Sequence, residues 1–237
     1  MARTGSWHSI QALWNEAKQL DVSSPSALFD SLQLQWLLWK VRKYTMVQRP
    51  RLRTLYHLAR EIDRIPISGD IVECGVYNGG SAGMLAFASR HSQPPRDLWL
   101  FDSFEGLPEA SAMDGVRARD RRGTCAGDPH KVRQLMHTLG IAQARLHIIK
   151  GWFQDTFPTI QIERIALLHI DADWYESVRL CLQWFYDFVE PSGFVVLDDY
   201  GHWPGCRAAV DEFVAQRRLD VALIQVDYTG HYFQKPG

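Results

Sequence analysis

The sequence predicts a three-layer α/β domain on a seven-stranded, mostly parallel sheet with an antiparallel last strand, preceded by helices. Three observations carry this expectation. Beyond Ser68, short apolar runs alternate with helix-like segments, the pattern of strands buried on both faces and joined by crossover helices. The last two apolar runs are separated only by Asp227-Tyr228-Thr229-Gly230, which suits a hairpin better than another crossover. The chain has 237 residues, 46% of them hydrophobic, enough to bury one sizeable core without dividing.

The elements follow in order. Residues 7–20 place Ile10, Leu13 and Trp14 at helical spacing, and residues 26–43 do the same with Leu32, Leu34, Leu37 and Leu38, with Ser24 or Ser26 as the cap. A third helix over residues 51–65 is stopped by Pro66. Parallel strands are expected at residues 71–74, 98–101, 146–149, 165–170 and 194–197, and the hairpin at residues 221–226 and 231–234. This divides the chain into an N-terminal helical region over residues 1–67, a lid or subunit contact, and an α/β core over residues 68–237.

Charge narrows the partners. Lys and Arg number 26 against 27 Asp and Glu, so the net charge of −1 gives no general attraction to nucleic acid or anionic lipid. Binding must then depend on a local site, and neither a nucleic-acid nor a membrane partner is expected. The four cysteines, Cys74, Cys125, Cys181 and Cys206, are scattered singly, as in a protein of the reduced cytosol. The N-terminus shows no secretory pattern. The most apolar early stretch, residues 28–41, is interrupted by Asp30, Gln33, Gln35 and Lys40 and reads as an amphipathic helix. A cytoplasmic location is expected.

In an open α/β sheet, ligands gather beyond the carboxyl ends of the strands, so the residues after each apolar run matter most. The first strand leads into Glu73-Cys74-Gly75-Val76-Tyr77-Asn78-Gly79-Gly80-Ser81 and then a helix. Small residues there let the backbone approach a ligand closely; an ordinary tight turn accounts for the same glycines. The second strand ends in Asp102 and Ser103, where a carboxylate commonly accepts ribose hydroxyls, although Asp and Ser also cap helices. Trp152 and Phe153 follow the third strand, as flanks for a planar base or as packing. The fourth and fifth strands end in Asp171-Ala172-Asp173 and Asp198-Asp199. Carboxylates converging at two strand ends repel one another unless protonation or a cation relieves them, and a hard divalent cation such as Mg²⁺ is the simplest relief.

Taken in order, these blocks resemble the class I S-adenosylmethionine-dependent O-methyltransferases, specifically the Mg²⁺-dependent macrocin-type sugar O-methyltransferases of antibiotic biosynthesis. The resemblance covers residues 46–213 and rests on G-D-I-V-E-C-G-V-Y-N-G-G-S from Gly69, F-D-S-F-E-G-L-P from Phe101, G-W-F-Q-D-T-F-P from Gly151, H-I-D-A-D-W-Y-E-S from His169, and D-D-Y from Asp198 with G-C-R-A-A-V-D-E-F from Gly205. It implies a Rossmann-like class I methyltransferase fold and two cofactors, S-adenosylmethionine and Mg²⁺. The implied cofactor contacts are Glu73, Gly75, Tyr77, Asn78, Gly79 and Ser81 around the glycine turn, with Glu73 and Gly75 at the methionine part. Asp102 would accept the ribose hydroxyls and Trp152 would flank the adenine, with Ser103, Gly151, Phe153 and Asp171 as further cofactor contacts. Asp171, Asp198 and Asp199 match the metal ligands, and Asp173 matches the general base. Ala172 and Trp174 stand where sugar-specific members often carry Gly and Leu, a departure that bears on the acceptor pocket.

The implied chemistry needs these groups together. A secondary alcohol is a poor nucleophile at neutral pH; a divalent cation lowers its pKa, a carboxylate removes its proton, and alignment of oxygen, methyl and sulfur does much of the rest. The acceptor is then a small-molecule hydroxyl, with a sugar of a glycosylated natural product as the expected class. His169 reads as a hydrogen-bonded structural histidine, while His202 and Tyr200 are further bases to test. Trp7, Trp14, Trp36 and Trp39 suit core packing, an acceptor cover or a homo-oligomer contact. Two other readings use similar parts. Haloacid-dehalogenase-type phosphatases also place D-x-D after a strand, but after the first, whereas Asp171 follows the fourth. A non-catalytic S-adenosylmethionine-binding module would have no use for the acidic set.

Overall fold

The computed structural model describes residues 24–237. Its seven strands are β1 (Asp70–Cys74), β2 (Leu98–Asp102), β3 (Leu146–Lys150), β4 (Ile165–Ile170), β5 (Val189–Leu197), β6 (Ile224–Gln225) and β7 (His231–Gln234). They form one sheet in the order β3-β2-β1-β4-β5-β7-β6. β1 to β5 pair in parallel, whereas β7 runs antiparallel to both β5 and β6. The chain winds outward in both directions from the β1/β4 pair, so the order reverses there and a crevice opens beyond their carboxyl ends.

Strand periodicity builds the two outer layers. Ile71, Leu167 and Val196 face one side of the sheet and Val72, Leu168 and Val195 the other, as successive side chains on a pleated strand must. The first side is covered by α1 (Pro25–Val41), α2 (Arg49–Arg64), α3 (Gly80–Ala88) and α4 (Pro129–Thr138). The second carries α5 (Phe153–Thr156), α6 (Tyr175–Phe185) and α7 (Pro204–Arg217). The expected mostly parallel, seven-stranded sheet is therefore present.

The two N-terminal helices lie within a few residues of their expected bounds. Ser24 caps α1, its hydroxyl oxygen accepting from Ala27 N at 3.1 Å, with Pro25 in the first turn. Leu37, Val41, Leu55 and Ile62 are fully buried in the same cluster as Ile71 and Leu100, so these helices share the core of the sheet. The loop between them is fixed as well. Gly80 N donates to Tyr44 O at 3.0 Å, and a Cβ on Gly80 would stand 2.4 Å from Thr45 Cβ, which brings residues 45–51 over the sheet's carboxyl edge. The helix expected over residues 7–20, with Trp7 and Trp14, lies outside the described residues.

Two strands differ from expectation. β5 begins at Val189 because Val189 pairs with Ile165 before the register shifts and Phe194 meets Leu167. β6 is cut to Ile224–Gln225 instead of residues 221–226: these two exposed residues pair with β7, while Val221 and Leu223 pack against the core on the second side of the sheet instead of extending the ladder. Among the described residues, no helix is long and apolar enough to cross a membrane.

Because Leu37 belongs to the shared core, Leu37→Ala should cost ~2–5 kcal/mol in a global unfolding transition followed in urea. A change below ~1 kcal/mol would mean that α1 is not integrated into the core.

Candidate active site

Close backbone approach organises the crevice. Gly75 sits at φ 89°, and a Cβ there would fall 1.7 Å from Asp171 O, so this position accepts only glycine while β1 and β4 stay adjacent. Gly75 N donates to Phe101 O at 2.9 Å and Asp171 N to Cys74 O at 2.8 Å, which ties together the ends of β2, β1 and β4. Asp102 shapes the turn that follows. Its Oδ2 accepts from Val76 N at 2.7 Å and Tyr77 N at 2.8 Å, and its Oδ1 from Phe104 N at 2.6 Å. The carboxylate thus braces the glycine turn and also lines the crevice.

Two cavities open from this edge. The larger, about 760 Å³, is lined by Gly75, Tyr77, Asp102, Ser103, Trp152, Phe153, Asp171 and Asp173 among the expected residues. The smaller, about 330 Å³, is lined by Ser81, Asp171, Asp173, Asp198 and Asp199, together with Arg51, His202 and Tyr228. Asp171 and Asp173 line both, as do Met46, Val76, Tyr77 and Cys125, so the acidic cluster stands at their junction.

Four expected contact residues line neither cavity. Asn78 uses its side-chain oxygen to accept from Asp128 N at 3.0 Å. Gly79 is the left-handed N-cap of α3, packed on Val132. Gly151, at φ 147°, passes close to Thr156. Glu73 is fully buried beneath the cluster, its Oε1 2.8 Å from His169 Nδ1. Adjacent parallel strands pair Glu73 with His169 in register, which explains their meeting.

The acids and His169 form two overlapping sets, His169, Asp171 and Asp198 in one and Asp171, Asp173 and Asp199 in the other, each with donor atoms within 4.8 Å of one another. Burial and then mutual repulsion push Asp171 and Asp199 well above the ordinary carboxylate range. Burial likewise raises Asp173 to about 6, against the hydrogen bond that its Oδ1 accepts from Trp203 Nε1 at 2.7 Å. Asp173 holds a left-handed backbone, φ 54°. For His169, burial works against charge, but the Asp198 and Glu73 carboxylates outweigh it and raise the imidazole to about 9. His169 Nε2 stands 3.9 Å from Asp198 Oδ1, and both this nitrogen and Asp199 Oδ2 are buried without a hydrogen-bond partner. Oxygen donors crowded in this way, with an orphaned oxygen among them, suit a hard divalent cation.

Several residues at the site carry no local sequence signal. Arg51 reaches in from α2 to ion-pair with Asp198 and, at 3.1 Å, Asp227. Trp203 and Tyr228 arrive from the loop before α7 and from the β6–β7 turn. Of the two further bases, His202 lines the smaller cavity, with Nδ1 2.9 Å from the Tyr228 hydroxyl, and burial and nearby arginines lower its pKa. Tyr200 lines neither cavity; its hydroxyl donates to Asp211 at 2.7 Å and is pushed up to about 12 by burial and that carboxylate.

Comparison with known proteins places this geometry in context. The family model described as Macrocin-O-methyltransferase (TylF) matches residues 8–235. Demethyldecarbamoylnovobiocin O-methyltransferase of Streptomyces niveus is 32% identical over 203 residues, spanning 83% of this chain and 78% of that protein. The 8-demethyl-8-(2,3-dimethoxy-alpha-L-rhamnosyl)-tetracenomycin-C 4'-O-methyltransferase of Streptomyces olivaceus is 31% identical over 202 residues, spanning 83% and 77%. Among solved structures, the O-methyltransferase NovP matches with a TM-score of 0.75 at 31% identity, over 82% of this chain and 83% of that one. With nearly its whole length matched by the family model and the strand-end acids assembled at one junction, the chain belongs to the macrocin O-methyltransferase family.

Proposed function

We propose that this protein transfers a methyl group from S-adenosylmethionine to a hydroxyl of a small-molecule acceptor, a sugar of a glycosylated natural product, with Mg²⁺ at the acidic cluster. The observation that carries the reading is the junction, where two cavities meet at Asp171 and Asp173. The larger takes the cofactor and the smaller the acceptor. The names of the relatives support the substrate class: a demethyldecarbamoylnovobiocin and a rhamnosyl tetracenomycin are the acceptors they state.

In the larger cavity, the turn from Gly75 to Tyr77 receives the methionine part, Asp102 and Ser103 the ribose, and Trp152 and Phe153 the adenine. Phe153 is braced for this by stacking on Phe157, with ring centroids 5.0 Å apart. Glu73 lines neither cavity and so acts through His169 rather than on the cofactor itself. Asp171, Asp198 and Asp199 would hold the cation, whose fit is supported by the orphaned Asp199 Oδ2 and the crowding of acids. When bound, S-adenosylmethionine supplies an electrophilic methyl group and Mg²⁺ the Lewis acidity that makes a hydroxyl easier to deprotonate.

Asp173 then acts as base. Its Oδ1 is occupied by the Trp203 indole N–H, which leaves Oδ2 to take the hydroxyl proton. The junction orients the acceptor oxygen toward the larger cavity, and this placement can contribute ~7–11 kcal/mol in favourable cases. Trp174, where the sequence departs from the sugar-specific pattern, donates to Pro108 O at 3.0 Å and packs edge-on against Trp203, ring centroids 4.8 Å apart. It lines the larger cavity and not the smaller, so the departure leaves the acceptor walls to other residues. The cysteines, free throughout, fit a reducing cytoplasm. The exposed Phe29, Leu32, Trp36 and Trp39 on α1 support a contact between copies through the N-terminal helices.

Calorimetry with S-adenosylhomocysteine should show Asp102→Ala binding ~1–3 kcal/mol more weakly, with or without Mg²⁺; unchanged affinity would move the ribose contact elsewhere. Asp198→Asn should abolish metal-dependent turnover and spare cofactor binding, and full activity in EDTA would contradict the role given to Mg²⁺. Asp173→Asn should keep both ligands and lose ~10²-fold or more in turnover. Loss of metal binding in that variant would make Asp173 a ligand and His202 the base to test.

A further inference from the structure

Arg51 has no part in the chemistry described above, yet its guanidinium is ion-paired with Asp198 of the acidic cluster. It lies in the first turn of α2, with its side chain 11% exposed. One terminal nitrogen ion-pairs with Asp198 Oδ2 and lies 3.4 Å from Asp198 O, while Nε reaches Asp227 Oδ2 at 3.1 Å. The Asp227 carboxylate is aimed in advance: its Oδ1 accepts from Thr229 N at 2.9 Å, Gly230 N at 2.8 Å and the Thr229 hydroxyl at 3.3 Å, leaving Oδ2 for the guanidinium. The arginine stem crosses the turn at Gly230, where a Cβ would stand 2.5 Å from Arg51 Cδ. A planar fork that meets two carboxylates from separate segments is a task for arginine and one that lysine performs poorly.

We infer that Arg51 is a built-in counter-cation of the acidic cluster, competing with a divalent cation for Asp198 and thereby linking occupancy of the site to the β6–β7 turn. The inference rests on the reading that the cluster binds such a cation. Its physical basis is that buried carboxylates left unpartnered are costly. A fixed guanidinium on Asp198 relieves part of that cost before any ion arrives. Two cations on one carboxylate then repel each other across a few ångströms of partly desolvated space, so a divalent ion binds against the arginine's charge. Loosening of Arg51 would be felt at Asp227. Its neighbour Tyr228 holds His202, and both line the smaller cavity, so the acceptor wall and the ion are joined through one side chain.

The test is titration of Mg²⁺ into EDTA-stripped, dialysed full-length protein by calorimetry, with thermal unfolding in EDTA and in Mg²⁺ alongside. Arg51→Met removes charge and hydrogen bonds, whereas Arg51→Gln removes the charge but keeps donors near Asp198. Competition predicts that both variants bind Mg²⁺ about tenfold or more tighter than wild type. It also predicts a lower melting temperature in EDTA, largely recovered in Mg²⁺. Wild-type affinity in both variants would overturn the inference. So would weakened binding in Arg51→Met with wild-type binding in Arg51→Gln, because Arg51 would then be positioning Asp198 for the ion. If Arg51→Met fails to fold, Arg51→Gln alone decides between tighter and unchanged binding. Asp198→Asn separates the two levels. Binding in wild type that is lost in Asp198→Asn upholds the metal reading whatever Arg51 does, while no binding in wild type removes that reading and the inference with it.

Discussion

Carboxylates gathered at the ends of two adjacent strands are the constraint on which the rest of the molecule depends. Asp171 and Asp173 follow β4 and Asp198 and Asp199 follow β5, and the parallel pairing of those strands leaves the acids no way to separate. Apolar packing cannot hold such a group; it needs compensation from every side. Beneath it lies the fully buried Glu73–His169 pair, above it the Arg51 guanidinium, and beside it the Trp203 indole on Asp173. The segments that supply these partners, α2, β1 and the loop before α7, are thereby bound to the ends of β4 and β5.

The same arrangement turns a scaffold into a reaction site. Gly75 lets the β1 turn touch the Asp171 carbonyl, and Asp102 fixes the backbone beyond it, so the floor of the larger cavity is rigid main chain. The smaller cavity is walled differently, by the loop over residues 45–48, the Asp198–Trp203 segment and the hairpin turn at Tyr228 and Thr229. Apart from the residues they share at the junction, the two cavities are walled by different segments, in keeping with the division proposed here between a cofactor and an acceptor.

Much of this was legible in the chain because it is local. β4 reads as an unbroken apolar run since all six of its residues are buried, and the acids follow it and β5 immediately. The turn residues 75–81 and Asp102 announce themselves in the same way. What escaped notice depends on distance. Arg51 sits 147 positions from Asp198 and 176 from Asp227, in a helix whose spacing speaks only of its buried face. The direction of Glu73 follows from its in-register partner His169 on a strand 96 positions later, and no pattern near residue 73 reveals it. β6 is shorter for a related reason: Val221 and Leu223 find their partners in the core on the second side of the sheet, a contact that the composition of the run does not distinguish from strand pairing.

The central claim is that the two cavities meeting at the acidic cluster are the cofactor and acceptor sites of one methyl-transfer centre. A crystal structure with S-adenosylhomocysteine and Mn²⁺ tests it most directly, since anomalous scattering locates the ion independently of the surrounding model. S-adenosylhomocysteine is expected in the larger cavity, its sulfur toward the junction, with one anomalous peak among Asp171, Asp198 and Asp199. Ligand density in the smaller cavity, or an anomalous peak away from these acids, would contradict it.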